Sequence, residues 1–480
     1  MDAARAILDW LRTRSKAERS ALARAATSRA RELGLVFLRP DGAFDIPLAL
    51  SPVVTSEADL ARRALDAHAL LGAVVKAARH LLDGSAGEER TAVVFRHLGP
   101  LERSCLAKGP AAEDVTIARV DWFLDAAGGH HALELNATIP AMQTYSDAAQ
   151  RAFLLTLGEA ARLSPETVER LVAANGSNQE DLRRSIVAHA GLADDRHPSI
   201  ALVHREGDAQ IRELEALAQA FRAAGHRARC ATPSEISLAP DRTARVGGEP
   251  VDLLYRHIFA RRIPEGSPLE EIALGRSTTP LLNPVNAHLE VKGVLAELKR
   301  LVTEQGGSGL GLTELEREVV ERVVPWTRLF EPGPATGPDG SRHPDLVALV
   351  RAAPARFVVK RSWDYGGKSV FIGRDTFARD GENGWNRQLD SALAQGPGAF
   401  VVQELIETPR QRHLIVAAEG ETALEEVFVD ASTYTASGTK AVPQGSVARF
   451  SRGGIVNIVG GGGVAPLVRE PVARAIAEAL

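Results

Sequence analysis

Two stretches near the N-terminus, residues 1–35 and 54–83, repeat apolar side chains at helical spacing, with alanine and arginine filling much of the remainder. That period predicts amphipathic helices, expected at the periphery of the fold and without chemistry of their own. Between residues 113 and 139 the period drops to two. The segments "VTIARVDWFLD" and "HALELNATI" alternate, and "AAGG" between them is a turn signal, so together they predict a β-hairpin. Pairing Asp125 with His130 sets Asp121 opposite Glu134 and Arg119 opposite Asn136. Opposed residues share a face, as do residues two apart on one strand, so these four polar side chains project to one side.

From about residue 195 the pattern becomes α/β. "SIALVH", "HRARCA" and "VDLLYRHI" read as strands and 208–224 as a helix. "TPLLNPVNAHLEVKGVLAELKRLV" adds a short strand and another helix. This alternation predicts a small, mostly parallel sheet. Residues 302–345 are rich in glycine and proline and are expected to be loop or lid. Beyond them "ARFVVKRSWDYGGKSVFIG" predicts strand, turn and strand, "WNRQLDSALAQ" a helix, and "GAFVVQELI" and "ALEEVFVD" further strands. The tail carries "SRGGIVNIVGGGGVAPL" and a short helix.

Composition narrows the class of protein. With 480 residues, 45% hydrophobic, the chain can bury two or three cores. A net charge of −4 gives no general attraction for nucleic acid. No run approaches the roughly 18 apolar residues of a membrane span. The first twenty residues lack the apolar stretch of a signal peptide, so a cytoplasmic location is expected. Cys105 and Cys230 are the only cysteines, too far apart in sequence for a CxxC zinc site or a disulfide framework.

Three stretches could carry chemistry. Glu134-x-Asn136 is either a face that holds something oxygen-loving or a solvated hairpin edge. "FVVKRSWDYGGKSVF" ends an apolar strand on Lys360 and follows it with Asp364 and two glycines. A lysine and glycine-opened backbone N–H groups suit phosphate, although GxxxxGK[ST] is absent, and a tight hairpin with exposed lysines gives the same letters. Gly460 to Gly463, set between "IVNIV" and "VAPLV", read as a mobile loop closing over a ligand more readily than as a linker. Lys292 opens a helix. His130, His131, His257, His288 and His413 have no ligand spacing and read as structural or surface residues. No nucleophile elbow or HExxH is present.

Taken together, Arg119-x-Asp121, "LELNATI", "VDLLYR", the lysine of "EVKGVL", "FVVKRSWDYGG", "VVQEL" and the late glycine run resemble the circularly permuted ATP-grasp ligases, whose best-known members are eukaryotic-type glutathione synthetase and glutathionylspermidine synthetase. In the usual ATP-grasp order the metal-binding E-x-N strand follows the phosphate-binding lysine strand; here it precedes Lys360, as permutation requires. The resemblance spans roughly residues 110–470. It implies an α/β (α+β) fold with a helical region over 1–110, a permuted segment carrying E-x-N over 111–194, a small α/β substrate subdomain over 195–300 and a nucleotide-binding region over 301–480.

The resemblance also implies roles. Glu134, Asn136 and Asp364 would ligate Mg2+, and Lys292 and Lys360 would contact the phosphates of ATP. Gln403 and Glu404 would lie at the adenine edge, while Gly366, Gly367, Gly460, Gly461, Gly462 and Gly463 would cover phosphates and substrate. Arg119 and Arg256 would hold an acceptor carboxylate or the transferred phosphoryl group, with Arg452 and Asn457 in similar positions at the last loop. The implied activity is an ATP-dependent carboxylate–amine ligase working through an acyl phosphate, its partners a small-molecule or peptide carboxylate and an amine, with a homodimer the usual assembly. Tyr365-Gly366-Gly367 replaces a triple glycine, and the stretch from Arg256 to Lys292 lacks a glutathione-type substrate loop, which points away from glutathione-like substrates. A nucleotide-binding protein without ligase activity and a phosphotransferase are the alternative classes.

Overall fold

The core of the molecule is a six-stranded antiparallel sheet. The computed structural model describes residues 2–40, 42–106, 116–193, 196–364, 369–417, 420–437, 445–458 and 460–480. The sheet runs in the order Gly463–Ala465, Ser446–Ser451, Thr422–Ala436, Ile117–Leu124, His130–Asn136, and Gln411–Val416 pairs with the first half of the long strand Thr422–Ala436. It therefore joins the hairpin of residues 117–136 to the last seventy residues of the chain, across the boundaries expected at 194 and 300.

Alternation explains the hairpin. Ala118, Val120 and Trp122, with Ala132 and Leu135 across from them, enter a core built around the helix Glu57–Leu82. Arg119, Asp121, Phe123, Glu134 and Asn136 take the opposite face. Arg119 pairs with Asn136 and Asp121 with Glu134, but beyond them the register shifts by one, so that Leu124 rather than Asp125 pairs with His130. Leu133 is the extra residue of this β-bulge, and it bends the strand beside the polar cluster.

The helix Glu57–Leu82 is central, contrary to the expectation of a peripheral position. It buries 13 residues, more than one amphipathic stripe accounts for, and packs against the long strand and the helices Lys292–Gln305 and Glu314–Val323. Its Asp66 is 1% exposed and bonds His130 Nε2 at 2.5 Å and Arg322 at 2.7 Å, fastening the helix to the hairpin. Residues 302–345 are likewise more ordered than a loop. Thr313 and Glu316 form a capping box, and Val319, Val320 and Val323 drive the helix Glu314–Val323 into the core.

Two smaller sheets flank the cleft. Leu281–Leu282, Leu253–His257, Ser199–His204 and Arg227–Ala231 form the parallel sheet. Its central strands are buried on both faces, which is why they read as unbroken apolar runs. Asn283 locks it to the hairpin: its side chain accepts from Ile117 N at 2.8 Å and donates to the carbonyls of Ile117 and Ala137. Thr327–Leu329, Phe400–Glu404, Phe357–Arg361 and Val370–Ile372 form an antiparallel sheet. Phe357, Val359, Phe400 and Val402 pack under the helix Gly373–Leu393, leaving Val358, Lys360 and Gln403 on the open face. Among the described residues no helix is long and apolar enough to cross a membrane.

Candidate active site

A cavity of about 480 Å3 lies between the polar face of the six-stranded sheet and the open face of the antiparallel sheet. Lys292 stands between the two. Its backbone N–H donates to Ser362 O at 2.8 Å, and the buried Ser362 hydroxyl accepts from Gly293 N, so the start of the helix Lys292–Gln305 is pinned to the strand that carries Lys360. The Lys292 ammonium then reaches Glu134 Oε2 at 3.1 Å and Asp364 O at 2.7 Å. One cation thus ties the hairpin to the turn after Lys360. Lys360 Nζ donates to Gln403 Oε1 at 2.7 Å and lies 3.5 Å from the carbonyl of the bulged Leu133. Ser369 Oγ donates to Asp364 Oδ2 at 3.0 Å.

The electrostatics follow from this crowding. Burial lowers the Lys360 ammonium to about 8, with Glu134 pulling the other way and Lys292 adding to the fall. Burial opposes ionisation of Glu134 too, yet Lys292 and Lys360 hold its carboxyl below the usual range. Deeper in the sheet, Arg119 grips Asp121 through two bonds, at 2.7 and 3.1 Å, and Arg449 reaches Asp121 at 2.7 Å and also pairs with Asp430. Despite burial, the two guanidinium groups keep Asp121 well below the carboxylate range, whereas burial pushes Asp430 above it. Asn136 Nδ2 donates to Asp121 at 3.2 Å, which turns its amide oxygen into the atom left to accept.

The cavity wall includes Arg119, Glu134, Asn136, Lys292, Lys360, Asp364, Gln403, Glu404 and Asn457. Arg256 and Arg452 lie elsewhere. The Arg256 guanidinium is 1% exposed and is spent on the carbonyls of Asn283, Ile258 and Pro284, where it braces the parallel sheet. Arg452 is exposed and paired with Glu425 at 2.7 Å. Gly460 to Gly463 are also absent from the wall. They form a tight turn and the start of an edge strand: a Cβ at Gly463 would meet Pro47 O at 2.3 Å and the Phe450 ring at 2.5 Å. The segment that does line the cavity is the one before them, Gly454–Ile458. Gly366 and Gly367 fall outside the described residues.

Sequence reasoning overlooked Arg449 and Asp430. Both are charged residues in the middle of apolar strands, "SVARF" and "VFVDAS", and that signal is readable because a charge placed there needs a buried partner. It overlooked Glu213 as well, which is 2% exposed and accepts from Met142 N at 2.7 Å at the head of the helix Gln143–Ala160. Burial raises its carboxyl to about 7 from an ordinary 4.5. The folded protein therefore binds an extra proton between those values, a stabilisation complete below pH 4.5 and lost as the pH rises through 7. The expected result is that wild type loses about 3 kcal/mol relative to Glu213→Gln over that window, read from denaturant midpoints at each pH.

The fold class these elements define is mixed α/β: a large antiparallel sheet, a small parallel sheet and a second antiparallel sheet enclosing one charged cleft. No protein-family model matches the chain, and no curated protein matches it in sequence. Among solved structures it is similar to a glutathione synthetase-like effector from Globodera pallida in its apo form, with a TM-score of 0.61 and 12% identity over 95% of this chain and 98% of that chain. The fold is thus glutathione synthetase-like over nearly its whole length.

Proposed function

We propose that the chain is a circularly permuted ATP-grasp ligase that joins a carboxylate to an amine with release of ADP and phosphate. The observation that carries this reading is the convergence of Glu134, Asn136, Lys292, Lys360 and Asp364 on one cleft between two sheets, with the strand of Glu134 and Asn136 preceding that of Lys360 along the chain.

The residues fit both ATP and Mg2+. Val358, Val370, Ile372, Leu405 and Ile406 offer apolar surface beside Gln403 and Glu404, as a purine needs, and the two lysines lie where phosphates would follow. Among the described residues no three or more His, Cys, Asp and Glu side chains cluster as a metal site. The donor set here is two carboxylates, Glu134 and Asp364, and the Asn136 amide oxygen. That all-oxygen set suits a hard cation that keeps waters and phosphate oxygens. Bound there, Mg2+ would neutralise phosphate charge. The chain's own part is to hold that charge from the other sides. Lys292 and Lys360 pair with the phosphates, while Arg119 and Arg449, already fixed by Asp121 and Asp430, face the carboxylate as it becomes an acyl phosphate. Gly454–Ile458 excludes water, since a free acyl phosphate hydrolyses.

The test is product analysis after incubation with MgATP and pooled amino acids, small peptides and polyamines. ADP and phosphate in equal amounts, with a new mass equal to two pool members less water, are expected. AMP and pyrophosphate, or a stable phosphorylated product without an amide, would overturn the reading.

A further inference from the structure

Part of the wall of the same cavity is carbon. Phe37, Met142, Tyr145 and Ile458 belong to one hydrophobic cluster and all four line the cavity. Phe37 comes from the N-terminal hairpin Val36–Arg39/Gly42–Asp45, a region in which the sequence showed no chemistry. Its position is fixed from both sides. Leu38 N donates to Ala209 O at 2.8 Å, and the Tyr145 hydroxyl donates to Val36 O at 2.9 Å. That second bond also uses up the only polar group of Tyr145.

The neighbouring polar groups are consumed in the same way. Met142 N donates to Glu213, and the Ala141 carbonyl accepts from Arg119 at 2.8 Å and from Tyr434 at 3.0 Å. Phe37, Met142 and Ile458 offer ring, thioether and branched aliphatic surface, while Arg205, Asp208, Gln210 and Arg262 line other parts of the same cavity. The segment Gly454–Ile458 runs from Ile372 to this wall: a Cβ at Gly454 would meet Ile372 at 2.7 Å, whereas Ile458 packs against the cluster that includes Met142. The wall also adjoins the Arg119–Ala141 bond, and hence the arginine pair to which the reacting carboxylate is assigned.

We infer that one of the two substrates joined at this site carries a branched or aromatic apolar side chain, seated on Phe37, Met142 and Ile458. The inference rests on the ligase reading, and it names a substrate class for it. An apolar patch gains by covering carbon, and it penalises a charged side chain laid on it, which would lose its water there.

The experiment is a competition. Wild-type protein with MgATP receives an equimolar pool of glycine, alanine, serine, aspartate, lysine, valine, leucine, isoleucine, methionine and phenylalanine with their dipeptides, and products are weighed by mass spectrometry. Products containing an apolar member larger than alanine are expected in at least about tenfold excess. Phe37→Ala and Phe37→Asn are each expected to cut that preference about tenfold by raising KM for the apolar substrate, with KM for MgATP as the control. Products built only from small or polar members, variants that leave the preference unchanged, or MgATP binding without any product from this pool would each overturn the inference and leave ATP use standing. Absence of MgATP binding by calorimetry would overturn the ligase reading itself, and this inference with it.

Discussion

Replacing Arg449 with methionine is expected to remove about 3–5 kcal/mol from the unfolding step of the unit that contains the six-stranded sheet. Among the described residues Arg449 is the one cation paired with Asp430, and it donates to Asp430, Asp121 and the Ser432 hydroxyl within a buried part of the sheet. Methionine fills much the same volume, so lost packing is a minor part of the cost. The major part is two buried carboxylates left without their shared partner, of which only Asp121 keeps an arginine, Arg119. Asp430, already pushed upward by burial, then takes a proton, and Asp121 keeps its charge through Arg119. Asp430→Asn in the Arg449→Met background should recover about 1–3 kcal/mol, because the amide is neutral at pH 7 without having to take up a proton. Guanidinium denaturation at pH 7, followed by circular dichroism, measures both. A loss below about 1 kcal/mol for Arg449→Met, or no recovery in the double variant, would mean the network does not hold the sheet.

The same network shows what the sequence could and could not disclose. The hairpin was legible because its two faces have different jobs: Ala118, Val120 and Trp122 enter the core while Arg119 and Asp121 do not, and that contrast is written as alternation. The bulge at Leu133 was illegible, since no glycine or other residue marks it, and so the turn end of the register was off by one while the polar end was right. Arg256 shows the converse. An arginine on a strand looks the same whether its guanidinium meets a ligand or three backbone carbonyls, and only the return of residues 283–284 decides for the carbonyls. Gly460 to Gly463 were read as mobility, but Gly462 and Gly463 answer a need for room against Pro47, Asn457 and Phe450, which lie far away in sequence or across the turn. The helix Glu314–Val323 was announced by Thr313-x-x-Glu316 and obscured by the glycines and prolines on either side. The role of Phe37 was beyond reach altogether: nothing local says that a hairpin near the N-terminus will close a cavity built from residues 119–458.

The largest functional effect is expected at Lys360. Lys360→Met should lower kcat/KM for ATP about 100- to 1000-fold while leaving the fold intact, since the methionine removes a buried charge that costs desolvation and keeps most of the side chain's length. The pH dependence separates this from a purely structural role. In the free protein the Lys360 ammonium titrates at about 8, lowered chiefly by burial. Below that value it is charged and attracts phosphate. As the pH rises through 8 it loses its proton, so MgATP affinity should fall on the alkaline side. Bound phosphate favours the charged form, so binding near pH 8 to 9 should take up protons, visible as a buffer-dependent heat in isothermal titration calorimetry. Lys360→Arg supplies the discriminating case, because a guanidinium stays charged over the whole range and should flatten the alkaline limb even where its shape weakens binding overall. Lys292 serves as the internal comparison: it sits between Glu134 and the Asp364 carbonyl rather than against Gln403, so Lys292→Met should weaken MgATP without removing that limb. An alkaline limb that survives in Lys360→Arg, or wild-type affinity that does not change between pH 7 and 9.5, would remove Lys360 from the phosphate site and with it the main electrostatic argument for nucleotide binding in this cleft.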